Sequence, residues 1–414
     1  MKEGKRKLRK IAFFGNFGQG NLGNESTLQA ILYHLRRYIP DAEVTCICTG
    51  PELTATTYNI AAVPMKDILV RTGPVRNDPL TRFLRRLFIG IPSELYRWVK
   101  AFRTLKGTDM FIKPGTQFLS DHLTGPFGWP YLAFKWSVTA KIRRCKLAFV
   151  SVGVGPLHHP LSRFFVKSAL FLADYRSYRD EFSKKYLENM GFKTNNDRVY
   201  PDLAFSLPVT IVPECKNRDG HRCVVGLGLK DYYGQDDIPR SNDEAMYSDY
   251  INKLGTFVTW LIEHKYTVRV LIGDVYYDSR VKQDLRELLE KRQLKYEDGQ
   301  IIDEAICSVE ELLLQLETTD VVVSPRYHNI LLALMLKKPV IALSYHEQKF
   351  IPLMTGVGLA KYCQHIDHLD VDKLIQQFIE IQKNAHTLKP YIKEKTEEYR
   401  NALDEQYNII FSDV

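Results

Sequence analysis

Two successive doubly wound α/β domains are the fold class this sequence predicts. The chain opens with a strand, a glycine-rich turn, a helix and a second strand over residues 11–48. That βαβ order calls for a parallel sheet with helices on its faces. Residues 208–222, PVTIVPECKNRDGHR, then break the pattern with an irregular polar run suited to an interdomain linker. A second series of β-branched strands and apolar-periodic helices follows. With 414 residues, 45% hydrophobic and 26% charged, the chain can bury two ordinary cores. The expected division is 1–208, a linker at 209–222, 223–384, and a C-terminal helix at 385–414 packing back on the first domain.

In the first domain, residues 11–14 read as a strand. Residues 26–38 read as a helix with Leu28, Ile31, Leu32 and Leu35 on one side, and 43–48 as the next strand. Gly18-Gln19-Gly20-Asn21-Leu22-Gly23 has the letters of a dinucleotide fingerprint. The fingerprint also needs an acidic residue at the end of the second strand to hold a ribose, and here that end is Cys48-Thr49-Gly50. Nicotinamide and flavin binding are therefore disfavoured. A turn carrying Asn16, Asn21, Asn24 and Glu25 suits a cluster of sugar hydroxyls; the other reading is a plain turn before a helix. Residues 109–112 and 147–152 continue the sheet. Residues 173–187 are expected to be helical, with Arg179 and Asp180 as a local ion pair, and Val199 and Tyr200 form a short strand before Pro201-Asp202.

In the second domain, strands at 223–229, 267–272 and 301–302 alternate with helices at 246–263, 280–292 and 310–317, and 369–406 are mostly helical. His365, His368, Asp370 and Asp372 lie together and are expected to form a solvated turn, so no metal is expected.

Residues 320–345, DVVVSPRYHNILLALMLKKPVIALSY, describe a strand, a tight loop, a helix and another strand. Arg326 and His328 fall at the start of that helix, where free N–H groups and the positive dipole end favour an anion. A guanidinium adds a planar fork for phosphate or carboxylate, and an imidazole adds a group that can deliver a proton. Two readings stand at this point: an acidic small-molecule site with a proton donor, or an Arg bound to loop carbonyls and a His capping the helix.

Three motifs taken together favour the first. The strand, Arg-x-His, PVIALSY segment is one; GNFGQGNLGNESTLQAIL at 15–32 is another. The third runs from 152 to 207 as VGVGP, ADYRSYRDEFSKKYL and YPDLAFSL. In their order along the chain, 15–32, 152–207 and 320–345, they resemble the polysaccharide pyruvyl transferase family over most of the chain. The resemblance implies two Rossmann-like domains in a GT-B-like arrangement. It implies phosphoenolpyruvate as co-substrate, no cofactor, and a pyruvate ketal formed on two hydroxyls of a sugar in a cell-surface polysaccharide or its precursor. It makes His328 the general acid and Arg326, with Ser324 beside it, a ligand of the donor. Lys230, where family members often carry Arg, and Lys349 become further donor ligands. The acceptor would lie near Asn21, Asn24, Glu25 and Asp121, with Asp202 as a base or a structural acceptor. The chain departs from the family pattern at Lys113-Pro114, at Lys230 and at Asn24, often Asp in the family. Two rivals remain at this stage: a GT-B glycosyltransferase with a nucleotide-sugar donor, and a non-catalytic glycan-binding relative.

The net charge of +8 is local. Residues 2–10 carry +5 and residues 82–106 carry +6, leaving the rest of the chain at −3. The second stretch interleaves Phe88, Tyr96, Trp98 and Phe102 with Arg85, Arg86, Arg97, Lys100 and Arg103, and Gly90 and Pro92 are expected to divide it into two amphipathic helices. Such a stretch suits an anionic bilayer surface or, equally, a core-facing helix pair with a solvated basic face. A saccharide acceptor that is lipid-linked would fit the former; nucleic acid is not expected as a partner. No apolar run approaches the roughly 18 residues of a membrane span, and MKEGKRKLRK leads straight into a strand. The seven cysteines are scattered, as for reduced, buried thiols. A cytoplasmic protein, docked at the inner face of the membrane, is the expectation.

Overall fold

The computed structural model describes residues 9–66, 86–116, 118–122, 124–208, 222–232, 243–294 and 299–412. The expected linker at 209–221, the basic run up to residue 8, and Arg82 and Arg85 lie outside the described residues.

The first sheet has seven strands: β1 (Lys10–Gly15), β2 (Glu43–Cys48), β3 (Ala61–Pro64), β4 (Met110–Pro114), β5 (Lys146–Val152), β6 (Tyr175–Tyr178) and β7 (Arg198–Val199). Their spatial order is β3-β2-β1-β4-β5-β6-β7, with every pair parallel. The second has six: β8 (Val224–Gly228), β9 (Thr267–Leu271), β10 (Ile301–Ile302), β11 (Val321–Ser324), β12 (Val340–Ser344) and β13 (Cys363–His365). Their order, β10-β9-β8-β11-β12-β13, is also parallel throughout. The two sheets are thus Rossmann-like, and in each the spatial order of the strands reverses once, between β1 and β4 and between β8 and β11.

Helices cover both faces. On one face of the first sheet, α3 (Ile91–Thr104), α4 (Trp129–Ile142), α5 (Pro160–Phe171) and α6 (Glu181–Asn189) pack on Phe14, Phe111, Phe149 and Val152. The opposite face, with Phe13, Cys46, Ile112 and Val150, belongs to a core that is continuous with the second sheet. It takes in α1 (Leu22–Tyr38) and α13 (Ala385–Phe411). Alternation along each strand directs these two sets to opposite faces. Helix α2 (Pro51–Tyr58) links β2 to β3, while α7 (Asp243–Glu263), α8 (Asp278–Lys291), α9 (Val309–Glu317), α10 (Tyr327–Met335), α11 (Glu347–Gly356) and α12 (Val371–Lys383) surround the second sheet. The C-terminal α13 reaches the first sheet: Gln406 Oε1 accepts from Ser151 Oγ at 3.0 Å, and its Nε2 donates to Ser177 Oγ at 2.6 Å.

Several elements differ from the sequence reading. Helix α1 begins at Leu22, four residues before the expected start, because Asn21 caps it by accepting from the Asn24 amide at 3.2 Å. The helix expected at 173–187 is strand β6 followed by α6. Asp180 separates them as N-cap, accepting from Ser183 N at 2.7 Å. In the basic stretch, Gly90 is helical (φ −64°, ψ −53°), and a π-helical turn over Arg86–Gly90 runs directly into α3. Pro92 sits in the first turn of α3, where a missing N–H costs no hydrogen bond. Asp370 caps α12 through the Lys373 amide at 3.0 Å. Among the described residues no group of three or more His, Cys, Asp or Glu is placed to hold a metal.

Lys113 is fully buried in β4 on the α4 side. Its Nζ donates to Ala133 O at 2.5 Å and Ser137 Oγ at 2.8 Å, and lies 4.8 Å from the centre of the Phe149 ring. Burial pushes this ammonium well below the usual lysine range. The unfolded chain then binds the proton more tightly, so stability should rise as pH rises toward the ordinary lysine pKa of about 10.4. Lys113→Met should raise Tm at neutral pH and reduce that pH-dependent rise, which Lys349 shares in sign. Differential scanning calorimetry checks both; an unchanged pH slope would mean that Lys113 adds nothing to it.

Candidate functional site

The strand ends of the two parallel sheets converge, and doubly wound folds bind ligands at such ends, near the point where strand order reverses. The loop after β1 meets the loop after β9. Leu22 N donates to Gly273 O at 3.0 Å, Val275 N donates to Gly20 O at 2.9 Å, and Asn21 Nδ2 donates to Asp274 Oδ2 at 3.3 Å. The glycine-rich turn is therefore an interdomain latch as well as a helix start. Gly18 (φ +74°) requires its glycine, since a Cβ there would lie 2.0 Å from Gly50 O.

Facing this latch is the N-terminus of α10. Ser324 ends β11, and its Oγ accepts from Arg326 N at 3.0 Å. The neighbouring strand carries Gly228, where a Cβ would lie 1.9 Å from that hydroxyl. Arg326 is the N-cap of α10. Its Nε donates to Asp278 Oδ2 at 2.9 Å, and one terminal nitrogen pairs with Asp278 Oδ1. Asp278 is fully buried and also accepts from the amides of Gly273, Asp274 and Asp231 at 3.0, 2.9 and 3.1 Å. Burial alone would lower the pKa of Arg326, but the Asp278 carboxylate holds it above its ordinary value.

His328, two residues on, crosses to the first domain. Its ring packs on Gly23, where a Cβ would lie 2.0 Å from Nδ1, and its Nε2 lies 3.7 Å from Asp202 Oδ2. At that separation the pair is an ion-pair contact, and Nε2 makes no hydrogen bond among the described residues. Burial pushes the imidazole pKa below its ordinary value, with Asp202 opposing part of the effect. Burial would raise the Asp202 pKa, but His328 and Arg179 hold it at about 2. Both side-chain amide atoms of Asn329 and the hydroxyl of Ser344 are likewise buried without hydrogen-bond partners among the described residues. Such atoms are rare in native interiors, and four of them gather around this helix start and the end of β12.

Lys349, in the first turn of α11, completes the cluster. Its Nζ stands 4.4 Å over the Tyr327 ring, which also has the Arg179 guanidinium at 5.1 Å. Burial, with the like charges of Arg179 and Arg326, pulls the Lys349 pKa down to about 7. Arg179 is itself buried and lies 3.5 Å from Asp180 Oδ2 and 3.5 Å from Asp202 Oδ2. Three cations thus surround the start of α10, and the ammonium of Lys349 has no carboxylate or carbonyl partner among the described residues. Lys230, buried at the end of β8, donates to Asp231 O at 3.0 Å and lies 4.6 Å over the Tyr345 ring.

The residues expected on the acceptor side are dispersed. Asn21 caps α1 and binds Asp274. Glu25 is bound beneath the turn, accepting from Gly18 N at 2.7 Å and Tyr58 OH at 2.9 Å, and burial raises its pKa. Asp121 accepts from the amides of His158 and His159 at 3.0 and 2.8 Å. These contacts position backbone, whereas Asn24 is half-buried in the first turn of α1. A cavity of about 520 Å³ opens instead between His122 and His158 of the first domain and Tyr345, His346, His365 and His368 of the second.

Arg179 and Asp278 were missed as members of the cluster. Arg179 lies within the quoted ADYRSYRDEF motif, but reading that segment as a helix concealed its place at the end of a strand. Asp278 carries no local signal, because its partner is 48 residues away in sequence.

Fold and cleft together define a GT-B-like two-domain protein whose interdomain site sets Arg179, Arg326 and Lys349 among the carboxylates of Asp180, Asp202 and Asp278. The model of the polysaccharide pyruvyl transferase family matches residues 21–347, most of the chain, and the protein belongs to that family. A comparison with curated proteins finds no match. Among solved structures, the chain resembles UDP-GlcNAc 2-epimerase from Methanocaldococcus jannaschii with TM-score 0.57 and 12% identity, covering 91% of this chain and 93% of that one. It resembles a glycosyltransferase from Rickettsia africae ESF-5 with TM-score 0.55 and 12% identity, over 99% and 100% of the two chains. MurG from Acinetobacter baumannii gives TM-score 0.51 and 10% identity, over 98% and 99%. At these identities the likeness describes the fold alone.

Proposed function

We propose that the protein is a ketal pyruvyltransferase, moving the enolpyruvyl group of phosphoenolpyruvate onto two hydroxyls of a sugar in a cell-surface polysaccharide or its precursor. The observation that carries this reading is the meeting of Arg179, Arg326 and Lys349 with His328 at the start of α10. A small trianionic donor needs several cations, and its carbon chemistry needs one proton source.

In the reaction, His328 protonates the methylene carbon, and positive charge develops on the carbon that bears phosphate and carboxylate. One sugar hydroxyl adds there and loses its proton. The C–O bond to phosphate then breaks, and a second hydroxyl adds to the same carbon. The leaving phosphate takes one of the two hydroxyl protons, and the other restores the acid. Lys349 and the terminal nitrogen of Arg326 not bound to Asp278 supply charge-assisted donors to the anion, and the first-turn amides of α10 add N–H groups. The acceptor enters by the histidine-lined cavity, beside Tyr345. In the same reading, the stretch 82–106 rests on the inner face of a membrane, where a lipid-linked acceptor would lie.

The test is phosphate release from phosphoenolpyruvate in the presence of bacterial glycan fractions, with mass spectrometry of the glycan. Release coupled to a carboxyethylidene group on the sugar supports the reading. Consumption of a nucleotide sugar, with phosphoenolpyruvate untouched, would assign the cleft to glycosyl transfer.

The Lys349 pKa of about 7 makes a further prediction. Only the ammonium form binds an anion, so affinity for phosphoenolpyruvate should be greatest below pH 7. It should fall above it, by at most about tenfold per pH unit. Lys349→Arg, charged throughout, should flatten that profile in calorimetric titrations between pH 6.5 and 9. A wild-type profile that is already flat would remove Lys349 from donor binding.

A further inference from the structure

Helices α3, α4 and α5 form one layer over the first sheet, and their outer faces are unlike those of an ordinary surface. Along the π-helical turn and α3, Phe88, Ile91, Leu95, Val99 and Phe102 recur at helical spacing, and all are exposed, Phe88 to 70%. The amphipathic face that the sequence offers is thus turned away from the core. On α5, Leu161, Phe164 and Phe171 repeat the arrangement, with Phe164 exposed to 57% and Phe171 to 78%. Between α4 and α5 runs an apolar groove of about 710 Å³, lined by Phe134, Val138, Phe164 and Phe171, with Arg163 and Lys167 at its sides. Phe134 ends a ladder of rings, Phe127–Tyr131–Phe165–Phe134, with centroids 6.1, 5.4 and 5.3 Å apart.

Charge identifies the occupant. Over residues 86–172, Lys and Arg number 13 against 3 Asp and Glu, a net +10, or +8 without the buried Lys113 and Lys135. The whole chain carries +8, so everything else sums to −2. A second copy of this chain would set positive charge against positive charge, whereas an anionic bilayer offers both a negative surface and an apolar interior.

We infer that α5 and the groove beside it are a second membrane-inserting element, so that the protein docks on an anionic phospholipid surface through two apolar ridges, α3 and α5, with an acyl chain entering the groove. This rests on the membrane-docking part of the reading above and is independent of pyruvyl transfer. Contact through α3 alone would tether one edge; two ridges fix the orientation of the layer and hold the interdomain cleft at a set height above the surface.

The experiment is co-sedimentation with vesicles of phosphatidylglycerol and phosphatidylcholine in equal parts, and of phosphatidylcholine alone. It compares wild type, Leu95→Ser/Val99→Ser and Phe164→Ser/Phe171→Ser, each checked by circular dichroism. Phe171→Ser alone, at the most exposed of these positions, stands in if the double variant does not fold. Wild type should bind the anionic vesicles and release at high salt, where the Debye length falls to about 3 Å. Both double variants should partition at least about tenfold more weakly. An α5 variant that binds like wild type while the α3 variant is lost overturns the two-ridge inference and leaves docking by α3 in place. Wild type that ignores anionic vesicles overturns both and leaves pyruvyl transfer untouched. A solution dimer that dissociates on Phe171→Ser would assign the face to a second copy and likewise overturn the inference.

Discussion

His328→Ala should lower kcat by roughly 10² or more while keeping affinity for phosphoenolpyruvate within a few-fold of wild type. In the proposed reaction the imidazole is the proton source for a bound donor. It stands at the start of α10, its Nδ1 side is closed by Gly23, and its Nε2 faces Asp202 across 3.7 Å without a made hydrogen bond. Burial favours the neutral ring. Asp202, held ionised to about pH 2 by His328 and Arg179 against its own burial, partly restores the charged form, and an incoming anion would do so further. On the proposed mechanism, a proton donor whose charge depends on the donor's arrival would protonate carbon only in the loaded site. Asp202→Asn should therefore shift the basic limb of the kcat profile, where the general acid loses its proton, to lower pH and reduce kcat less than His328→Ala does. Steady-state phosphate release measures both; wild-type kcat in His328→Ala removes the residue from the chemistry.

Arg326→Ala should destabilise the fold by about 3 kcal/mol, the lower end of the range for leaving a buried charge without its partner. Asp278 is fully buried and loses its bidentate guanidinium in that variant. The lower end is appropriate because three backbone amides still donate to the carboxylate. Adding Asp278→Asn to Arg326→Ala should recover at least about 1 kcal/mol, since the two residues are in contact and their effects should not add. Urea denaturation of wild type, both single variants and the double gives the cycle. An Arg326→Ala protein as stable as wild type would mean that the ion pair contributes nothing, and that the arginine serves ligand binding alone.

The legible part of this molecule is what alternates or repeats. The apolar strands β1, β5, β8 and β12 and the helical spacing of α10 all appear where residue periodicity placed them. Strand β6 was read as helix because Tyr175–Tyr178 is only four residues long and leads into a helical pattern, so period alone could not divide it. Arg326 and His328 were legible through the helix start they occupy. Their partners Asp278, Asp202 and Gly23 were not, because those pairings exist only once two sheets converge. The basic stretch before β4 illustrates the same limit: amphipathic spacing defines an apolar face, and only packing decides whether that face meets a core or stays outside.

Calorimetric titration of the wild-type protein with phosphoenolpyruvate, in parallel with UDP-N-acetylglucosamine, tests the central claim most directly. The cluster of Lys349, Arg326 and Arg179 around the start of α10 predicts saturable heat with phosphoenolpyruvate, weakened about tenfold or more in Lys349→Met, and none with the nucleotide sugar. Saturable binding of UDP-N-acetylglucosamine with no heat from phosphoenolpyruvate would contradict the account.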